Sequence, residues 1–106
     1  MFHPATKFSV ITEHFLIEKV CHIIEECGGR GYTLVPVGGK GLHHLHHTLD
    51  QATAIEGFDN LKVEVVTSSR EKAERIAQRV MLECLTENPG IMFLETIEVF
   101  RSERFE

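Results

Sequence analysis

Leu61-Lys62-Val63-Glu64-Val65-Val66-Thr67-Ser68-Ser69-Arg70-Glu71-Lys72-Ala73 contains a change of period that decides the fold. Up to Val65, apolar Leu61, Val63 and Val65 alternate with Lys62 and Glu64, the pattern of a strand with one buried face. Beyond Ser68 the apolar positions fall at helical spacing. Ala73, Ile76, Ala77, Val80, Met81 and Cys84 form a stripe opposite Arg70, Glu74, Arg75, Gln78 and Arg79. Ser68 with Glu71 fits a capping box that would start this helix, and Asn88-Pro89-Gly90 would stop it. Ile91 to Phe100 then reads as a strand with apolar side chains on both faces, Phe93, Ile97 and Val99 on one and Met92, Leu94 and Phe100 on the other.

The upstream half repeats this order. Phe8, Val10 and Ile11 place a short strand within Lys7 to Thr12. From Glu13 onward, Leu16, Ile17, Val20, Ile23, Ile24 and Cys27 recur at spacings of three and four, opposite Glu18, Lys19, His22, Glu25 and Glu26. Gly28 and Gly29 are predicted as left-handed caps of this helix. Tyr32 to Val37 is again strand-like, and Pro36, which has no N–H to donate, places it at an edge or end of the sheet. Residues 38–58 follow no sustained period and read as a long excursion.

The order β, α, β, long loop, β, α, β in a single domain spanning residues 1–106 predicts an α+β fold, the ferredoxin-like βαββαβ sandwich. Both helices then cover one sheet face, and the apolar residues of the other face need a separate cover. Met92 and Leu94 are expected on that uncovered face, with self-association as the cover.

A net charge of −5 excludes a general basic field for nucleic acid or anionic lipid, so an anionic ligand would have to be held by a local cluster. Cys21, Cys27 and Cys84 are odd in number and form no CxxC, which argues against a disulfide framework and for buried thiols in a reducing compartment. No apolar run approaches the roughly 18 residues of a membrane span, and MFHPATKF lacks a leader pattern, so a cytoplasmic location is expected.

Gly38-Gly39-Lys40-Gly41 is the most informative short segment. Glycines let successive backbone N–H groups turn toward an anion, and Lys40 adds a point charge beside them. The segment reads as a phosphate cradle or as the hinge of the long loop. It is not a Walker A loop, because Gly41 stands where a magnesium-binding Ser or Thr is required. His43, His44, His46 and His47 satisfy neither helical nor strand spacing for a metal. They read as a solvated loop, a zinc or nickel site, or a pH sensor. Arg101 and Arg104 either offer guanidinium forks to phosphate from a neighbouring subunit or form a mixed-charge tail with Glu103 and Glu106. No nucleophile or paired carboxylate has a catalytic setting, so no enzyme activity is expected. A sheet surface for RNA would need exposed aromatics and a basic face.

Val10-Ile11-Thr12-Glu13, Ile23-Ile24-Glu25-Glu26, Gly31-Tyr32-Thr33 leading into Gly38-Gly39-Lys40-Gly41, Lys62-Val63-Glu64-Val65 and Gly90-Ile91, in this order, resemble the PII signalling superfamily. Within it the likeness, from about Lys7 to Phe105, is to the PII-like proteins of inorganic-carbon metabolism, the SbtB group and the carboxysome-associated group. The resemblance implies a homotrimer, with residues 38–58 as the mobile T-loop and an adenine nucleotide such as ADP or AMP bound between subunits. It implies roles for Thr33, Gly39, Lys40, Gly41 and Gly90 around that nucleotide, and Arg101 and Arg104 complete the candidate set. Bicarbonate is an implied second ligand and a membrane bicarbonate transporter an implied partner, with no cofactor and no resident metal. SbtB-type proteins have arginines where this sequence has His43 and His46, and many carry a cysteine-bearing extension where this chain stops at Glu106, which favours the carboxysome-associated type.

Two other functions fit the same fold pattern. A CutA-like trimeric metal-binding protein would use the histidines, and a small acylphosphatase-like enzyme would lose its phosphate hydrolysis in Lys40→Ala. Composition predicts that residues 42–57 order only when a ligand supplies contacts, since few apolar groups are available to offset the entropy of fixing them.

Overall fold

Phe8 stands opposite Val65 and Val10 opposite Val63, and these four side chains, all fully buried, form the centre of the core. The computed structural model describes residues 1–39 and 60–101. In chain order the elements are β1 (Phe2–Glu13), a 3-10 turn (His14–Leu16), α1 (Ile17–Glu26), β2 (Thr33–Val37), β3 (Asn60–Thr67), α2 (Arg70–Cys84) and β4 (Gly90–Phe100). The sheet order is β2-β3-β1-β4 with every neighbouring pair antiparallel. This is the ferredoxin-like arrangement expected from the two half-units.

Both helices lie on the Phe8 face. Val20, Ile23 and Ile24 from α1 and Ala73, Ile76 and Val80 from α2 close over the sheet with essentially no exposure. The helical stripes are as the spacing predicts, except that Met81 is 47% exposed at the stripe's margin. An ion pair ties the helices outside the core: Arg79 Nη1 reaches Glu26 Oε1 at 2.8 Å, and Arg79 Nε reaches Glu83 Oε2 at 2.8 Å.

Several boundaries differ from the sequence reading, each for a local reason. β1 begins at Phe2 rather than Lys7, because β4 runs to Phe100 and pairs with it residue by residue. Pro4 is tolerated there because β3 stops at Thr67, opposite Thr6, which leaves one side of β1 without a ladder. The cap of α2 is Ser69, whose Oγ accepts from the Lys72 N–H at 3.1 Å; the Ser68–Glu71 capping box is not formed. Ser69 has an extended backbone, and the Thr67 hydroxyl donates to its carbonyl at 2.7 Å, so this turn is held from both sides. Of the two predicted caps of α1, only Gly28 is left-handed, at φ 96°. Gly29 is needed for closeness instead: a Cβ there would lie 2.5 Å from Ile24 Cγ2.

The assignment of the β4 faces is reversed. Met92 and Leu94 stand opposite Val10 and Phe8 and pack against the core, under the helices. The face without helices carries Ile91, Phe93, Ile97 and Val99, joined by Ile11 and Ala5 from β1 and by Val35 and Val37 from β2. The two sets of residues are those that alternation separates; alternation alone does not say which set meets the helices.

Candidate functional site

Four strand ends meet along one edge of the molecule. Val37 ends β2 opposite Asn60, Asn60 begins β3 opposite Glu13, and Thr12, next along β1, pairs with Gly90 at the start of β4. The connection from α2 is fastened to this rim. Asn88 Nδ2 donates to the Cys84 carbonyl at 3.1 Å, Thr86 Oγ1 donates to the Leu82 carbonyl at 2.9 Å, and Thr12 Oγ1 donates to the Pro89 carbonyl at 3.0 Å. The first two bonds use carbonyls that the last turn of a helix leaves free. Gly90 sits where no side chain fits, since a Cβ would meet Leu85 Cδ2 at 2.7 Å and the Ile11 carbonyl at 3.1 Å. Gly39, two residues past β2, has open space around it.

The structure therefore brings Gly39 and Gly90 to the same end of the sheet. Thr33 lies at the opposite end of β2, on the face without helices and opposite Glu64. Arg101 lies farther still, just past β4, with its backbone N–H donating to the Met1 carbonyl at 3.1 Å. Eleven strand steps separate Gly90 from Arg101, about 35 Å at the rise of an extended chain. One protomer does not gather these residues around a single small molecule. Lys40, Gly41 and Arg104, the histidines 43, 44, 46 and 47, and the expected ordering of residues 42–57 lie outside the described residues.

The face without helices holds a charged row that the sequence reading did not identify. Lys7 Nζ lies 3.5 Å from Glu64 Oε2 and 3.4 Å from Glu95 Oε1, and Lys62 Nζ lies 3.1 Å from Glu64 Oε2. Burial raises the Glu64 pKa, but Lys62 and Lys7 outweigh it and hold the carboxyl below its ordinary range. Burial likewise lowers the Lys7 pKa, and Glu64 and Glu95 more than reverse it. The signal in the sequence was the alternation of Lys62 and Glu64 with apolar residues, and Lys7 stood at the start of the predicted first strand; only the observed extension of β1 back to Phe2 puts Lys7 mid-strand beside them. Ser9, opposite Glu64 and Phe93, is fully buried beside this row, and its hydroxyl has no partner among the described residues.

The two buried thiols, Cys21 and Cys84, offer little nucleophilic chemistry. Burial raises the pKa of both Cys21 and Cys84, which disfavours the reactive thiolate. Tyr32, pushed up to about 12 first by its hydrogen bond with the Cys21 thiol, stays protonated and donates to Glu25 Oε2 at 3.3 Å. Among the described residues no group of three or more His, Cys, Asp or Glu side chains is placed to hold a metal ion, and no helix is long and apolar enough to cross a membrane.

The family model of the nitrogen regulatory protein P-II matches residues 5–104. The chain belongs to the PII family. Solved PII-like structures share its fold. A PII-like signalling protein of Thermus thermophilus superposes with a TM-score of 0.77 at 24% identity, covering 99% of this chain and 98% of that one. CPII of Thiomonas intermedia, a nitrogen regulatory PII-like protein bound to ADP, AMP and bicarbonate, gives a TM-score of 0.74 at 19% identity over 97% of this chain and all (100%) of that one. The GlnK–ATP complex of B. subtilis gives 0.59 at 24% identity over 89% and 82% of the two chains. Proteins of the PII family are signalling regulators rather than enzymes, in keeping with the lack of a catalytic setting in the sequence.

Proposed function

We propose that this PII-family chain is a non-enzymatic sensor of adenine nucleotides and bicarbonate. It binds ADP or AMP between the subunits of a homotrimer and regulates inorganic-carbon uptake or carboxysome function through residues 38–58. The observation that carries this reading is the separation of Gly39 and Gly90 from Arg101 by the full length of β4. Residues so far apart serve one ligand when one subunit supplies the glycine end and its neighbour supplies the arginine end. CPII, bound to ADP, AMP and bicarbonate, supports the choice of ligands. In this reading Thr33, Gly39, Lys40, Gly41 and Gly90 surround the nucleotide, Arg101 and Arg104 reach its phosphates, and a membrane bicarbonate transporter is a partner.

Titration calorimetry with ADP, AMP and zinc tests the reading directly. ADP is expected to bind, and Lys40→Ala to weaken it by about ten- to a hundredfold, the scale of a lost charge-assisted contact. Bicarbonate and the preferred adenylate must tighten each other by the same factor, because linkage is reciprocal. Hydrogen exchange across residues 42–57 should slow when both are present. Binding of zinc with no binding of ADP would favour a CutA-like metal-binding protein instead.

A further inference from the structure

Beyond Thr6 the sheet narrows to a two-stranded ribbon, since β3 stops at Thr67 while β1 and β4 continue together through Ala5–Ile97 to Phe2–Phe100. Two isolated strands are marginal in water, and Pro4, opposite Glu98, leaves the ladder to β4 intact because its nitrogen faces the side that β3 no longer covers. Two contacts hold its tip. The rings of Phe2 and Phe100 meet edge to face with centroids 5.2 Å apart and planes at 62°, and the Arg101 N–H donates to the Met1 carbonyl at 3.1 Å. These rings lie beyond the core and are 62% and 64% exposed. Core packing does not account for an aromatic pair there; its effect is to pin the strand ends, and Arg101 is the next residue.

We infer that Phe2 and Phe100 are positioning residues for the nucleotide site: their edge-to-face pair stiffens the ribbon that carries Arg101 to the phosphates held by a neighbouring copy. The inference rests on the adenylate reading given above. Arg101 can meet the Gly39–Gly90 rim only from another subunit. The rotational freedom of its backbone is then a direct cost to binding, one that a pinned ribbon meets before the ligand arrives. Phe2 touches no nucleotide in this arrangement and acts through Arg101.

The test is a double-mutant cycle in the full chain, reading ADP affinity by calorimetry and mass by sedimentation for the wild type, Phe2→Ala, Phe2→Tyr, Arg101→Ala and the Phe2→Ala/Arg101→Ala pair. Phe2→Ala is expected to weaken ADP by about two- to tenfold, the scale of an aromatic pair, with the oligomer intact. Phe2→Tyr keeps the ring and should retain wild-type affinity. Once Arg101 is removed, Phe2→Ala should cost nothing further. Equal losses with and without Arg101, unchanged affinity in Phe2→Ala, or loss of assembly would each overturn the positioning role. If Arg101→Ala binds ADP as the wild type does, the inference fails while the adenylate reading stands; if the wild type binds no adenylate, both fail.

Discussion

A methyl group added at residue 90 would overlap Leu85 at 2.7 Å and press on the Ile11 carbonyl at 3.1 Å. The leucine can rotate, but the carbonyl belongs to the β1–β4 ladder and cannot move alone. Gly90→Ala is therefore expected to destabilise the protein by about 1–3 kcal/mol, the range for overfilling a packed site, as a lower urea midpoint with an unchanged slope. Glu64 gives a prediction of a different kind. Its folded pKa lies below its ordinary 4.5 because of Lys62 and Lys7, so the unfolded chain takes up its proton first as pH falls. Stability from this group is then complete above about pH 4.5 and drains away as pH drops below that value. Glu64→Gln should flatten this part of the stability profile, read from urea midpoints between about pH 6 and pH 3. On the alkaline side, Lys7 is raised, so its contribution is complete below its ordinary 10.5 and fades above it.

At the scale of elements, Ser69 decides where α2 begins. Its Oγ satisfies the Lys72 N–H, so Ser69→Ala should cost roughly 0.5–2 kcal/mol, whereas Ser68→Ala, at an exposed position outside the cap, should change the urea midpoint little. That contrast shows what periodicity conveys and what it omits. The strand and helix character of residues 61–84 was legible because Val63, Val65, Ile76 and Val80 each face one core and their spacing records it. Which of two adjacent serines caps the helix depends on the backbone turn held by Thr67, which leaves no periodic trace. The first residues of β1 were missed because His3 and Pro4 have no strand pattern; their conformation is imposed by β4, nearly a hundred residues away in the chain. Gly39 and Gly90 were grouped in the sequence only by the family resemblance, and the sheet brings them to one end. Their distance from Arg101 was not legible, because it follows from the lengths of β1 and β4, whose boundaries are set by each other.

For the whole molecule, the face without helices is the surface through which the proposed homotrimer would form. Phe93 is 37% exposed and Ile91 50% exposed on it, with Ile97 and Val99 beside them, and at ~25 cal/mol per Å² apolar rings and branches of this size favour burial. Charged side chains would normally oppose that. Here Lys7, Lys62, Glu64 and Glu95 are already paired within the protomer, two positive and two negative, so the row carries no net charge into an interface and leaves no ion without a partner. The homotrimer proposed above uses this face. Sedimentation at micromolar concentration is expected to give about three times the 12.1 kDa chain mass. Phe93→Glu places a new carboxylate beside a row whose two lysines are already matched, so it adds an unpaired charge to the contact and leaves the helix-covered core untouched. Its expected outcome is a folded species near 12.1 kDa, with wild-type far-ultraviolet dichroism and no measurable ADP binding, because clefts made by two subunits vanish with the contact. A trimeric Phe93→Glu protein would show that copies meet through another surface. A monomer that still binds ADP at wild-type affinity would place the nucleotide within one chain and remove the need for Arg101 to come from a neighbour.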